Sequence, residues 1–274
     1  MLERFNYINH MNETLEFGRT KLFVNENDLR DFAWEITSKN GRISGFKKGI
    51  ASKTIPVIIK CDSIEEGIAL KNKLFEVLEK DVLAVKHGRI IIGDYYFKCF
   101  VTESSKKEYL INKSYMQVTL KVSTDFPYWI KETKSIFNYG SSEEVGVDLD
   151  FNRDIPYDYS SNLIGKQLFN SNFVPSNFRM NIYGVCVNPK INIAGHIYEV
   201  AAEIRASEYL TIDSVSKTIL LKKADGTAEN FFNKRGREYY VFEKIPTGKL
   251  NVSANGIFSF DVILLEERGE PKWI

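Results

Sequence analysis

The sequence predicts a mainly β chain arranged as two domains, and three observations carry that reading. Nineteen Phe and fourteen Tyr, with many Ile and Val, supply the residue types that suit a pleated, half-buried surface. Short apolar or alternating runs recur along both halves, punctuated by turn dipeptides such as Gly93-Asp94, Asp225-Gly226 and Asn255-Gly256. Between the halves, from Glu132 to Asn177, the pattern gives way to Ser, Asn, Gly and Asp with Pro156 and Pro175, which reads as a linker. A chain of 274 residues is long enough for each half to bury its own core.

In the first half, strands are expected at Lys53 to Lys60, Arg89 to Ile92, Tyr95 to Val101 and Tyr115 to Val122. Gly93-Asp94 joins two of them as a two-residue hairpin, because glycine supplies the positive φ such a turn requires. One helix is expected, from Ser63 to Lys80. Ser63 and Glu66 have capping-box spacing, Glu65 and Glu66 suit its positive end, and Lys80 suits its negative end. Ile64, Ile68, Phe75 and Leu78 repeat near the helical period, and Leu70, Leu74 and Val77 widen that stripe, which faces either the core or a partner. In the second half, strands are expected at Phe178 to Tyr183, Lys190 to Ile193, Ile197 to Ile204, Tyr209 to Ile212, Thr218 to Lys222, Tyr239 to Phe242 and Ile257 to Leu265. Strands this short and this closely spaced predict an antiparallel sandwich or barrel.

Composition and motifs narrow the function. Thirty-seven basic against thirty-six acidic residues leave a net charge of +1, which disfavours general binding to nucleic acid. The start MLERFNYINHMNE lacks signal-peptide features, and no apolar run is long enough to span a bilayer, so no membrane role is expected. Cys61, Cys99 and Cys186 are too scattered for a disulfide framework or a CxxC site, pointing to synthesis in a reducing cytoplasm. Asp148, Asp150, Asn152 and Asp154 open like a calcium loop, but Arg153 stands where that loop needs glycine and Tyr159 where it needs glutamate. His10, His87 and His196 have no ligand or catalytic partner at motif spacing, and no GxSxG, P-loop or GxGxxG occurs. No cofactor, metal or catalytic residue is assigned. Trp34, Tyr95, Tyr96, Trp129, Tyr198, Tyr209, Tyr239 and Tyr240 are candidates for stacking on sugar rings, or else for core and subunit contacts.

Taken in chain order, FNYINHMNETLEFG from Phe5, Gly41-Arg42, the strand, helix and hairpin series ending in STDFPYW at Trp129, FRMNIYGVCVNPKINIAG from Phe178, and YLTIDSVSKTI from Tyr209 resemble the distal tail protein of long-tailed phages. The resemblance covers nearly the whole chain, and its weight lies in the order of the pieces. It implies a β-sandwich over residues 1–130 with one helix and a protruding hairpin, closing into a hexameric ring, and a galectin-like β-sandwich over 131–274. It further implies a non-enzymatic virion protein at the tail tip, made in the host bacterial cytoplasm. Its partners would be its own copies, the tail tube protein, a tail-associated hub, lysin or fibre protein and a receptor-binding protein, with DNA only passing through the lumen. Gly93, Asp94, Tyr95 and Tyr96 are the candidate subunit-interface hairpin, and residues 1–130 are expected to suffice for the ring. The competing classes are a carbohydrate-binding module for adsorption to the host surface and a glycoside hydrolase, the latter because paired carboxylates leave no local motif.

Overall fold

The structure is a computed structural model and describes residues 3–18, 21–24, 26–111, 115–138 and 167–273. The calcium-like spacing of Asp148, Asp150, Asn152 and Asp154, with Arg153, Pro156 and Tyr159, lies outside the described residues. The chain is mainly β, with one α-helix among the described residues. It divides into two compact units, Met1–Lys131 with Glu267–Ile274, and Glu132–Glu266. Residues Glu267–Ile274, which the sequence reading assigns to the second domain, therefore belong to the first unit.

The first unit contains β1 (Phe5–Ile8), β2 (Thr14–Phe17), β3 (Leu22–Val24), β4 (Glu35–Lys39), β5 (Arg42–Lys47), β6 (Ala51–Lys60), α1 (Ile64–Ala84), β7 (Gly88–Ile92), β8 (Tyr95–Ile111), β9 (Tyr115–Thr124) and the start of β10 (Trp129–Phe137). Strand alternation sets its core. Lys53, Ile55, Val57 and Ile59 of β6 point inward, as do Met116, Val118, Leu120 and Val122 of β9, with Val57 opposite Val118. β8 is the strand that joins the two layers: its first residues pair with β7, and from Phe100 onward it pairs with β9 through three register shifts. Such shifts bend a strand and let it leave one sheet for another.

The helix begins as its sequence requires. Ser63 Oγ accepts from the Glu66 N–H at 3.1 Å, and the Glu66 carboxylate accepts from the Asp62 N–H at 2.8 Å. It runs past Lys80 to Ala84 and ends at Val85, in the left-handed region at φ 52°. Its buried face is made by Leu74, Val77, Leu78 and Asp81 with Leu70 beside them. Ile68 and Phe75 are exposed, correcting the expected stripe. At about 100° per residue both lie roughly a quarter turn or more from Leu74, on the flank of the helix.

Asp81 is wholly buried and fixes the helix to the β1–β2 turn. It accepts from the Tyr7 hydroxyl at 2.5 Å and from the His10 N–H at 2.8 Å, and its other contact is His10 Nδ1 at 2.6 Å. Burial, then the neighbouring Cys99 and Asp81, push the Tyr7 phenol far above its ordinary range, so it stays a donor. Gly88 is required beside this group, because a Cβ there would stand 2.2 Å from the Tyr7 hydroxyl and 2.3 Å from Asp81 Oδ2.

The second unit contains the rest of β10, then β11 (Gln167–Asn170), β12 (Asn177–Tyr183), β13 (Cys186–Val187), β14 (Lys190–Ile193), β15 (His196–Glu199), β16 (Glu203–Ile204), β17 (Tyr209–Asp213), β18 (Thr218–Lys222), β19 (Ala228–Asn230), a 3₁₀ turn at Phe232–Lys234, β20 (Gly248–Ala254) and β21 (Phe260–Arg268). One antiparallel sheet runs β19-β18-β17-β12-β21 and another β11-β20-β14-β15. Met180 lies between Ile212 and Val262 across neighbouring strands, and with Ile182 and Leu210 it builds the core. Leu168, Ile191, Ile193, Leu250 and Val252 supply the other layer of the same core. Two expected strands differ. The run Ile197 to Ile204 is broken after Glu199, and Tyr239 to Phe242 forms no strand. In that run Tyr239 and Tyr240 are exposed while Val241 and Phe242 are buried, a pattern that period-2 alternation cannot produce.

Candidate assembly surface

The Gly93-Asp94 turn is present, with Gly93 at φ 56° and Ile92 opposite Tyr95, but its strands have neighbours on both sides. β7 pairs with β1 from Arg89 to Ile91, and Tyr96 and Phe97 of β8 pair with Ile130 and Trp129 of β10. Tyr95 is buried, Tyr96 is half-buried, and Asp94 forms an exposed ion pair with Lys131 at 2.7 Å. This hairpin is interior to its sheet, so it offers a neighbour only its tip.

A second hairpin is more exposed. β4 and β5 form a two-stranded ribbon that pairs with no third strand among the described residues. Asn40 at φ 52° and Gly41 at φ 72° make the turn, the Asn-Gly pairing favoured where both central residues are left-handed. Register places Ile36 opposite Phe46 and Ser38 opposite Ile43, with a bulge between Thr37 and Ser38 that keeps Ile43 on their side. Ile36, Ile43 and Phe46 thus share one face, and they are 61%, 62% and 59% exposed. The other face carries Glu35, Thr37, Lys39, Arg42 and Lys47, with Lys47 and Glu35 paired at 3.2 Å. An isolated two-stranded ribbon is marginal in water, and its exposed apolar face is a candidate contact surface.

The root of the ribbon is clasped to the first unit. Lys48 Nζ lies 4.3 Å from the ring centroid of Tyr128, 4.8 Å from that of Trp34 and 5.8 Å from that of Phe32, and donates to the Pro127 carbonyl at 3.2 Å. Burial, with the charge of Lys53 beside it, pulls the Lys48 ammonium below its ordinary range. Lys53 itself is buried, donates to the carbonyls of Asp28 (2.8 Å) and Asp31, and so ties down the segment leading into β4. Because Trp34 precedes β4 and Lys48 follows β5, the clasp fixes both strands at their base. Lys48→Gln is expected to leave the melting temperature nearly unchanged and to speed amide exchange across 35–47 about fivefold, the equivalent of about 1 kcal/mol of cation–π attraction. Hydrogen exchange read by mass spectrometry checks this.

The histidines have structural partners that spacing could not reveal. His10 meets Asp81, His87 Nε2 lies 2.8 Å from Asp125, and His196 Nε2 donates to the Tyr240 carbonyl at 3.0 Å. Among the described residues no group of three or more His, Cys, Asp or Glu is placed to hold a metal ion. Of the aromatic candidates, Tyr95, Trp129 and Tyr198 are core residues, whereas Trp34, Tyr209, Tyr239 and Tyr240 are exposed.

No protein-family model matches the chain, and no curated protein matches it in sequence. Solved structures do. The SPP1 Dit protein, described as a paradigm of the hub adsorption apparatus in phages infecting Gram-positive hosts, superposes with a TM-score of 0.60 at 9% identity over 97% of this chain and 100% of its own. A chain of the phage P2 baseplate in its activated conformation with Ca matches with a TM-score of 0.61 at 12% identity, over 99% of this chain and 100% of that one. A chain of the phage p2 baseplate in its activated conformation with Sr matches with a TM-score of 0.60 at 12% identity, over 98% of this chain and 99% of that one. The chain therefore has the fold of the phage distal tail proteins.

Proposed function

We propose that this protein is a non-enzymatic distal tail subunit whose copies close into a hexameric ring at the tail tip, between the tail tube and the baseplate hub. The observation that carries this reading is the exposed, amphipathic β4–β5 ribbon on a fold shared with phage hub proteins. A ribbon that projects from one copy onto a different surface of the next makes a head-to-tail contact, and such contacts close when the rotation per copy divides a full turn. Burying Ile36, Ile43 and Phe46 against a neighbour removes them from water and gives the ribbon a second layer to pack on. The ring's further partners are the tail tube protein on one side and a hub, lysin or fibre protein on the other, with a receptor-binding protein beyond. The Gly93 to Tyr96 tip is left as a secondary contact. Near-neutral charge supports a conduit role, since a strongly basic lumen would retain the DNA passing through it.

Electron micrographs of the purified full-length protein are expected to contain annular particles with six-fold symmetry. Monomers at every concentration reached would overturn the ring.

A further inference from the structure

A separate observation lies in the second unit and does not depend on the ring. From Asn233, inside the 3₁₀ turn, to Val241 the chain forms no β-strand, yet it borders an open cavity of about 510 Å³. That volume is within the span typical of small-molecule sites, roughly 300 to 1,000 Å³. Asn233, Arg235, Arg237, Glu238, Tyr239 and Tyr240 line it.

The segment is held at many points. The Ala201 N–H donates to the Lys234 carbonyl at 2.7 Å, the Gly236 N–H to the Glu199 carbonyl at 2.9 Å, and the Glu243 N–H to the Tyr240 carbonyl at 2.9 Å. A Cβ at Gly236 would stand 3.2 Å from the Glu199 side chain, so the two segments lie close together. The rings are fixed too: Tyr239 meets His196 edge-on at 5.7 Å, and Tyr240 meets Phe242 edge-on at 5.8 Å. The Arg235 guanidinium lies 4.0 Å over the Phe232 ring and donates to the Phe232 carbonyl at 2.7 Å. Arg237 and Glu238 form no ion pair with the described residues, although both are exposed on the cavity wall.

Preorganised tyrosine rings beside planar donors and an amide are the chemistry that grips a sugar ring, with apolar CH faces on the rings and hydroxyls on the Asn233 amide and Glu238. Two guanidiniums against one carboxylate bias the wall toward a negative group, and a guanidinium matches a carboxylate or phosphate through two parallel bonds. We propose that this cavity binds a saccharide unit carrying an acidic substituent, with Arg237 meeting the anionic group and Tyr240 stacking on the ring.

The test is calorimetric titration of the full-length protein with four probes: a glucuronate-containing disaccharide, a hexose 6-phosphate, a neutral disaccharide and inorganic phosphate. At least one acidic sugar is expected to bind ten times or more tightly than the neutral one. Which of the two does so identifies the acid as a carboxylate or a phosphate. Arg237→Gln and Tyr240→Leu should each weaken that binding at least tenfold with the melting temperature unchanged, while Tyr209→Leu, at an exposed tyrosine of the same unit, should leave it intact. Equal binding of the neutral sugar, inorganic phosphate binding as tightly as the sugar phosphate, or no binding of any probe at millimolar concentration would overturn the assignment. So would an equal loss from Tyr209→Leu.

Discussion

Phe46→Asp is expected to turn annular assemblies into a folded monomer. Phe46 is the largest side chain on the apolar face of the β4–β5 ribbon and is 59% exposed in the isolated chain, so the substitution removes nothing from the core. At an interface it would do two things: delete an aromatic anchor and leave a charge opposite an apolar surface. Truncating such anchors costs about 2 to 4 kcal/mol or more, which weakens each contact by roughly thirtyfold to a thousandfold. A ring multiplies that penalty over all its contacts. Light scattering should give the monomer mass and circular dichroism an unaltered spectrum. Thr37→Asp, on the charged face of the same ribbon, is the control and should keep the ring. If Phe46→Asp still assembles into rings, the ribbon is not the contact, whatever the stoichiometry.

Leu74→Asp is expected to unfold the first unit. Leu74 is fully buried on α1 and belongs to the same core as Val57, Val118 and Trp129. An aspartate there loses the leucine's packing and places an unpaired carboxylate among apolar groups, at a combined cost of more than about 4 kcal/mol. Total stabilities of about 5 to 15 kcal/mol leave little margin after such a loss. Phe75→Asp is one residue away but exposed, and should shift stability by no more than about 0.5 kcal/mol. Thermal melts of the two variants separate the buried face of the helix from its flank. Equal melting temperatures would show that the helix is rotated from the phase described.

Local signals were legible in the sequence wherever one chemical feature decides the geometry. Ser63 and Glu66 start the helix, Gly93 and Gly226 turn the chain, and β6, β9, β12 and β18 follow their alternation. What escaped depends on several parts of the chain at once. The phase of α1 is set by what covers it, and Ile68 and Phe75 are as apolar as Leu74. The β4–β5 ribbon carried a strong Asn40-Gly41 turn signal, but its apolar face is spaced irregularly by the bulge and so lacks strict alternation. Tyr239 to Phe242 looks like a strand because a short aromatic run has no period to contradict it. The His10–Asp81 pair spans 71 residues, beyond the reach of any motif spacing. The candidate ligand cavity was foreshadowed only by Tyr239 and Tyr240, since Asn233, Arg235 and Arg237 have no pattern until the chain folds around them.

The return of Glu267–Ile274 to the first unit also governs the order in which the protein can be finished. Trp273 lies under the Arg30 guanidinium at 4.2 Å, the Pro271 carbonyl accepts from Arg30, and Gly269 packs on Phe32 at the foot of the ribbon. The ribosome delivers these residues only after the whole of Glu132–Glu266 has been made. The unit begun first is thus completed last, and nascent chains on one messenger lack the finished ribbon base while they are still tethered side by side. For the same reason a fragment ending near residue 130 is an unfinished product. A gene encoding the first unit alone should splice Glu267 onward behind Lys131, treating the second unit as a cassette that can be lifted out and exchanged.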